Sequence, residues 1–254
     1  MYRFIKNNIY SRPVTRQRII KSVKMVIPTF IYGIIYCIWF NYLEKRPLIH
    51  YTEMHTRFDD KIPFLEIFVL PYAFWFVFVA FCVAFPVLCY EQEDYWRFVI
   101  FLCGGMTLFL IISTFFPTLQ RLRPDLSTLG RDNIFIHMVN FFYTCDTPTN
   151  IFPSMHVYNA IGGSISIINS KRFSKKGNII SIISAILIVL STMFIKQHSV
   201  IDVICGIGLA VVFYYLVYRT NIVIGFLRIL GFINDNIDDK IEEETPFVTS
   251  RNVR

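Results

Sequence analysis

The six cysteines show no pairing pattern: Cys37, Cys82, Cys89, Cys103 and Cys205 fall in or at the ends of apolar runs, and only Cys145 stands in a loop. This excludes a disulfide framework and a CxxC zinc site. Internal repeats and low-complexity tracts are also absent, and no linker is long enough to separate a second domain. The formal charge of +7 is no nucleic-acid signature, because the basic residues flank apolar runs instead of interleaving with aromatics on a polar surface. No small-residue cleavage site follows the basic start (Arg3, Lys6, Arg12, Arg16, Arg18, Lys21, Lys24). The first apolar run therefore reads as an uncleaved helix with its N-terminus in the cytoplasm.

Apolar residues dominate instead. They make up 54% of the 254 residues, aromatics make up 17%, and mean hydropathy is +0.49, values that belong to an integral membrane protein. Apolar runs of membrane-crossing length, or close to it, lie at about 25–43, 65–89, 97–116, 155–170, 179–195 and 200–218. The expected fold is all-α, a polytopic transmembrane bundle of about six spans with an extracytoplasmic active site. Residues 1–24 read as a basic cytoplasmic segment, 25–230 as the membrane domain and 231–254 as an acidic cytoplasmic tail. The fourth run is short and polar (Asn159, Ser164, Ser166, Asn169, Ser170), and its small residues Ala160, Gly162 and Gly163 suit close packing inside the bundle. Counting crossings puts Lys171, Arg172, Lys175 and Lys176 inside, as the positive-inside rule prefers, and the plasma membrane is the expected location. The longest connection, 117–152, contains an apolar segment at Ile134–Phe142 that suits a helix lying at the interface, followed by a turn at Asp146–Asn150.

By the same count, the ends of the third and fifth spans and the starts of the fourth and sixth open on one face. That brings together Arg121, Arg123, Ser154, Met155, His156, Lys196, His198 and Asp202. His198 and Asp202 are four apart, which on a helix places both side chains on one face. Ser154 suits an N-cap, leaving the amides of Met155 and His156 free for an anion. Arg123 offers a fork of donors matched to phosphate, and Lys196 and Arg121 supply further cations. In this arrangement His198 attacks phosphorus, Asp202 sets its tautomer, and His156 protonates the leaving oxygen. His156, His198 and Asp202 could instead ligate a metal, but Arg123 and Lys196 would repel a cation, so no metal and no cofactor is expected. His50, His55 and His137 read as solvated or capping, and Phe74, Trp75 and Phe76 as lipid-facing or core.

In order, Arg123-Pro124, Pro153-Ser154-Met155-His156 and His198 with Asp202 resemble the membrane-bound type 2 phosphatidic acid phosphatase family, related to the acid phosphatases and vanadium haloperoxidases. Its signature blocks read Lys-x6-Arg-Pro, Pro-Ser-Gly-His and Ser-Arg-x5-His-x3-Asp. The resemblance spans roughly residues 95–218. It implies a nucleophile at His198, its partner at Asp202, an acid/base at His156, and phosphate binders at Arg123 and Ser154. Phe116, Met155 and Thr192 stand where the blocks have Lys, Gly and Arg. Arg121 and Lys196 are the candidates to replace the two cations, and Met155 still offers its backbone amide. The Phe-Pro-Ser-Met-His form is similar to the branch that includes inositol phosphorylceramide synthases. The resemblance implies a lipid phosphatase acting on a phosphatidic acid-like or polyprenyl pyrophosphate-like lipid, with a headgroup transferase as the first alternative. A non-catalytic transporter or scaffold with an anion site is the alternative from a different class.

Overall fold

A computed structural model describes residues 16–47 and 50–233. Most of the basic N-terminal segment and of the acidic tail expected from sequence lies outside these residues. Among the described residues eight α-helices follow in chain order: α1 (Arg16–Lys45), α2 (Val69–Leu88), α3 (Gln92–Phe115), α4 (Ile134–Cys145), α5 (Met155–Asn169), α6 (Lys175–Phe194), α7 (Val200–Tyr214) and α8 (Ile222–Ile229). The chain is an all-α bundle of the multi-pass membrane type. Among the described residues, five helical stretches are long and apolar enough to cross a bilayer: Arg18–Lys45, Glu66–Leu88, Gln92–Phe115, Lys175–Phe194 and Val200–Arg219. Their outer faces carry large apolar side chains such as Phe30, Ile38 and Ile180, each more than 60% exposed, as a lipid-facing surface does.

The expected fourth span corresponds to α5, which has only 15 residues and rises about 22 Å against a hydrocarbon core of about 30 Å. It is shielded by α2, α3, α6 and α7, all of which pack on it. Val157, Tyr158 and Ala160 are fully buried, as are Asn159, Ser164 and Ser166 almost entirely. Its polar side chains therefore meet protein, and the Ser164 hydroxyl lies 3.2 Å from that of Ser181 on α6. Glycines permit this packing. A Cβ on Gly162 would sit 2.2 Å from the Phe101 ring, and one on Gly206 would sit 2.8 Å from the Ser154 carbonyl oxygen. The second contact presses the middle of α7 against the start of α5.

The connections between helices gather at one end of the bundle, except those at 89–91, 170–174 and 215–221. There β1 (Thr52–Glu53) pairs in parallel with β2 (Thr118–Leu119), Leu119 bridges Thr149, and Leu65 N donates to Phe194 O at 3.0 Å. The expected interfacial helix is α4, which packs on α2 through Val139 beside Tyr72. Its cap is Asn133, whose side chain accepts from Phe135 N and Ile136 N. At the opposite end Arg172 pairs with Glu91, next to the exposed Lys171, Lys175 and Lys176.

Candidate active site

Asp202 is fully buried, and His198 is 7% exposed. His198 is not on the helix with Asp202, as their spacing suggested: α7 begins at Val200, after the N-cap Ser199. The pair meets through the cap instead. The Asp202 carboxylate folds back to accept from Ser199 N at 2.9 Å, which brings its Oδ2 to 3.6 Å from His198 Nδ1. The loop before it is equally fixed. Lys196 ends α6 in the left-handed region at φ +55°, which costs a side-chain-bearing residue about 1–2 kcal/mol. Its ammonium is held there by the carbonyls of Asp59 at 2.7 Å and Ile62 at 2.6 Å. Gln197 N and His198 N then both donate to Thr192 O, at 2.9 and 3.1 Å.

Asp59, which the sequence did not single out, completes this cap. Its carboxylate accepts from Ser199 Oγ (2.6 Å), Val200 N (2.8 Å), Thr56 N (2.7 Å) and Thr56 Oγ1 (2.9 Å). Burial alone would raise its pKa, but these hydrogen bonds outweigh that and hold it below the ordinary carboxylate range.

His156 is the second residue of α5, after the N-cap Ser154, whose Oγ accepts from Val157 N at 3.4 Å. Ser154 N donates to Asp202 O at 3.2 Å, tying the two helix starts together. His156 Nδ1 lies 3.4 Å from His198 Nε2. Its ring stacks on Tyr72 at 4.7 Å and packs on Trp75 at 4.5 Å. Phe74 and Phe76 are exposed as expected of lipid-facing residues, whereas Trp75 is a wall of the site. Met155 is buried in the core cluster with Phe109, Leu110 and Tyr158, so what it can offer a ligand is its backbone.

Arg123 reaches the same place. It donates through Nη1 to Tyr143 O at 3.1 Å and through Nη2 to Gln197 Oε1. The Tyr143 ring lies 4.4 Å from its Cζ, and Tyr143 Oη donates to Ile195 O at 2.6 Å, so α4 clamps the guanidinium against the α6–α7 turn. Burial lowers the Arg123 pKa, with Asp146 pulling it back, but at ordinary pH the group stays charged. Gln120 braces the turn by donating from Nε2 to Lys196 O at 2.9 Å.

The structure thus gathers His156, His198, Asp202, Arg123 and the start of α5. Two candidate cations lie differently. Arg121 is 76% exposed, 3.9 Å from Glu53, and the Lys196 ammonium is committed to the two loop carbonyls. Among the described residues no group of three or more His, Cys, Asp and Glu side chains is placed to hold a metal ion.

Ionised Asp202 can only accept, so the proton on His198 belongs at Nδ1 and the lone pair at Nε2. His156 Nδ1 faces that nitrogen at 3.4 Å, within reach of a shared proton. The site therefore presents two imidazoles in contact, a buried carboxylate, a guanidinium and the amides of a helix start.

Asp146 belongs to the same neighbourhood. Burial raises its pKa to about 6, with His198 and Arg123 opposing and Glu44 adding to the rise. Between about pH 4 and about pH 6 the folded chain keeps a proton that the unfolded chain, with a carboxylate pKa of about 3.9, has released. Stability contributed by this group therefore falls as pH rises across that window. Asp146→Asn is expected to remove this slope and to melt higher than wild type above pH 6. Melting curves from pH 4 to pH 8 check it, and an unchanged slope counts against the assignment.

A family model described as PAP2 superfamily matches residues 98–223, the stretch that contains Arg123, Ser154, His156, His198 and Asp202. No curated protein and no solved structure matches the chain.

Proposed function

Because its segment 98–223 matches the PAP2 superfamily model, we propose that this protein is a membrane lipid phosphatase of that kind. It hydrolyses the phosphate monoester or pyrophosphate of a phosphatidic acid-like or polyprenyl pyrophosphate-like lipid through a phosphohistidine, without a metal. The observation that carries this reading is the chain of contacts Asp202–His198–His156, at 3.6 and 3.4 Å, beside the Arg123 guanidinium.

In the first step His198 Nε2 forms a bond to phosphorus, the bond from phosphorus to the lipid oxygen breaks, and that oxygen takes the proton from His156. Asp202 stabilises the charge that develops on the His198 ring. In the second step His156 removes a proton from water, the water oxygen bonds to phosphorus, and the N–P bond breaks to restore His198. Arg123 and the α5 amides stabilise the equatorial oxygens throughout, the main lever in phosphoryl transfer. The site end faces away from the cytoplasm, with Lys171, Arg172, Lys175 and Lys176 on the cytoplasmic side, in the plasma membrane. The lipid substrate enters sideways, keeping its tail in the bilayer.

One observation favours the second reading, a headgroup transferase of the inositol phosphorylceramide synthase type. Thr192 is fully buried with its hydroxyl donated to Val189 O at 2.8 Å. Arg123 is therefore the cation committed to the phosphoryl group, and a single cation suits a phosphodiester with one negative charge.

Phosphate release by purified protein in detergent with excess chelator, from phosphatidic acid and from a polyprenyl pyrophosphate, tests the first reading. Release that survives the chelator is expected. No release from either lipid, with headgroup transfer appearing only when a polyol or ceramide is added, would replace it with the second.

A further inference from the structure

Gln197 has no role in the mechanism above, yet it is 1% exposed and immediately precedes His198. A guanidinium only donates, so the Gln197 atom that meets Arg123 Nη2 is its carbonyl oxygen. The amide nitrogen therefore points the other way. That Nε2 is enclosed and has no acceptor among the described residues, and the same holds for Arg123 Nε. Buried donors without partners are rare, and each costs about 1–3 kcal/mol unless something accepts from it. Here two of them sit on groups already hydrogen-bonded to each other, beside the reacting imidazole. A tetrahedral oxyanion supplies the acceptors such a pair lacks.

We propose that Gln197 is a ligand of the phosphoryl group. Its Oε1 fixes the Arg123 fork, and its Nε2 donates to an equatorial oxygen of the phosphoryl group being transferred. The neutral amide takes over work that Thr192 cannot do, because the Thr192 hydroxyl is turned back onto its own helix. This inference rests on the phosphoryl-transfer reading of the site.

Orthovanadate, a tetrahedral oxyanion, is the probe, read both as inhibition of phosphate release and as a rise in melting temperature. Gln197→Glu keeps an oxygen for Arg123 but replaces the donor with a charged acceptor. Gln197→Met keeps the length and removes both functions without adding charge. Wild type is expected to bind vanadate. Gln197→Glu should weaken that binding about 100-fold and lower kcat about as much, the usual effect of losing one preorganised oxyanion donor. Gln197→Met should lose at least about 10-fold. Without vanadate, both variants should melt close to wild type. Vanadate affinity unchanged in Gln197→Glu would overturn the proposal, leaving Gln197 as a brace for Arg123. Vanadate affinity unchanged in Gln197→Met would overturn it as well. A wild-type chain that neither releases phosphate nor responds to vanadate would instead remove the phosphoryl site itself, so the two failures are told apart by the wild-type arm.

Discussion

His198→Ala is expected to lower kcat for phosphate release by about 10⁴-fold or more, equivalent to about 5–6 kcal/mol of transition-state stabilisation. The variant should keep its fold. The alanine removes the Nδ1 contact to Asp202 and the Nε2 contact to His156, but the Asp202 carboxylate keeps its bond from Ser199 N, so the start of α7 remains capped. His198 N also keeps its backbone partner, Thr192 O. The measurement is kcat with a melting curve on the same preparation. Turnover within about 10-fold of wild type would mean that the imidazole does not form the covalent bond. A transporter or scaffold would differ again, since binding of the phosphate-bearing lipid would persist with no turnover in either protein.

The second large effect concerns stability. Asp59→Ala leaves Ser199 Oγ, Val200 N and Thr56 N without their carboxylate. At about 1–3 kcal/mol for each group left unsatisfied in a buried place, partly offset where water can enter, the loss should be about 3 kcal/mol. That corresponds to a fall of roughly 10 °C in apparent melting temperature for a chain of this size. The pH dependence has a definite sign. Hydrogen bonding depresses the folded pKa of Asp59, so its contribution is fully present above the unfolded carboxylate value of about 3.9 and is lost as pH falls through the folded value. The gap between wild type and Asp59→Ala should therefore persist at pH 7 and close in acid below about pH 4. A gap that does not change with pH would assign the loss to packing instead of to the carboxylate.

Motif order, spacing and the apolar runs were enough to place Arg123, Ser154, His156, His198 and Asp202 at one end of the bundle, where the structure brings them together, because apolar runs show where helix starts and loop ends lie. The helical count was nearly as readable. α5 was the difficult element, since a helix surrounded by protein needs neither the length nor the apolar surface by which a span is recognised. Spacing misassigned the geometry of His198 and Asp202, as four residues fit a helical face and a cap equally well. Lys196 shows another limit: near His198 in sequence, it is turned by its left-handed backbone towards the carbonyls of Asp59 and Ile62. Asp59, Tyr143, Gln197 and Trp75 act on the site across contacts that span from one residue to 141, and little that is local marks them. Gln197 came closest to being legible, as a polar residue beside His198 in an apolar setting.

The central claim is that phosphorus becomes bonded to His198. Its most direct measurement is rapid acid-free quenching of wild type and His156→Ala after mixing with lipid labelled with radioactive phosphorus, followed by denaturing electrophoresis under alkaline conditions. The account predicts an acid-labile, base-stable label on the protein, more abundant in His156→Ala because hydrolysis of the intermediate is slowed, and absent from His198→Ala. Product formation by wild type with no labelled protein in either chain at any quench time would contradict it.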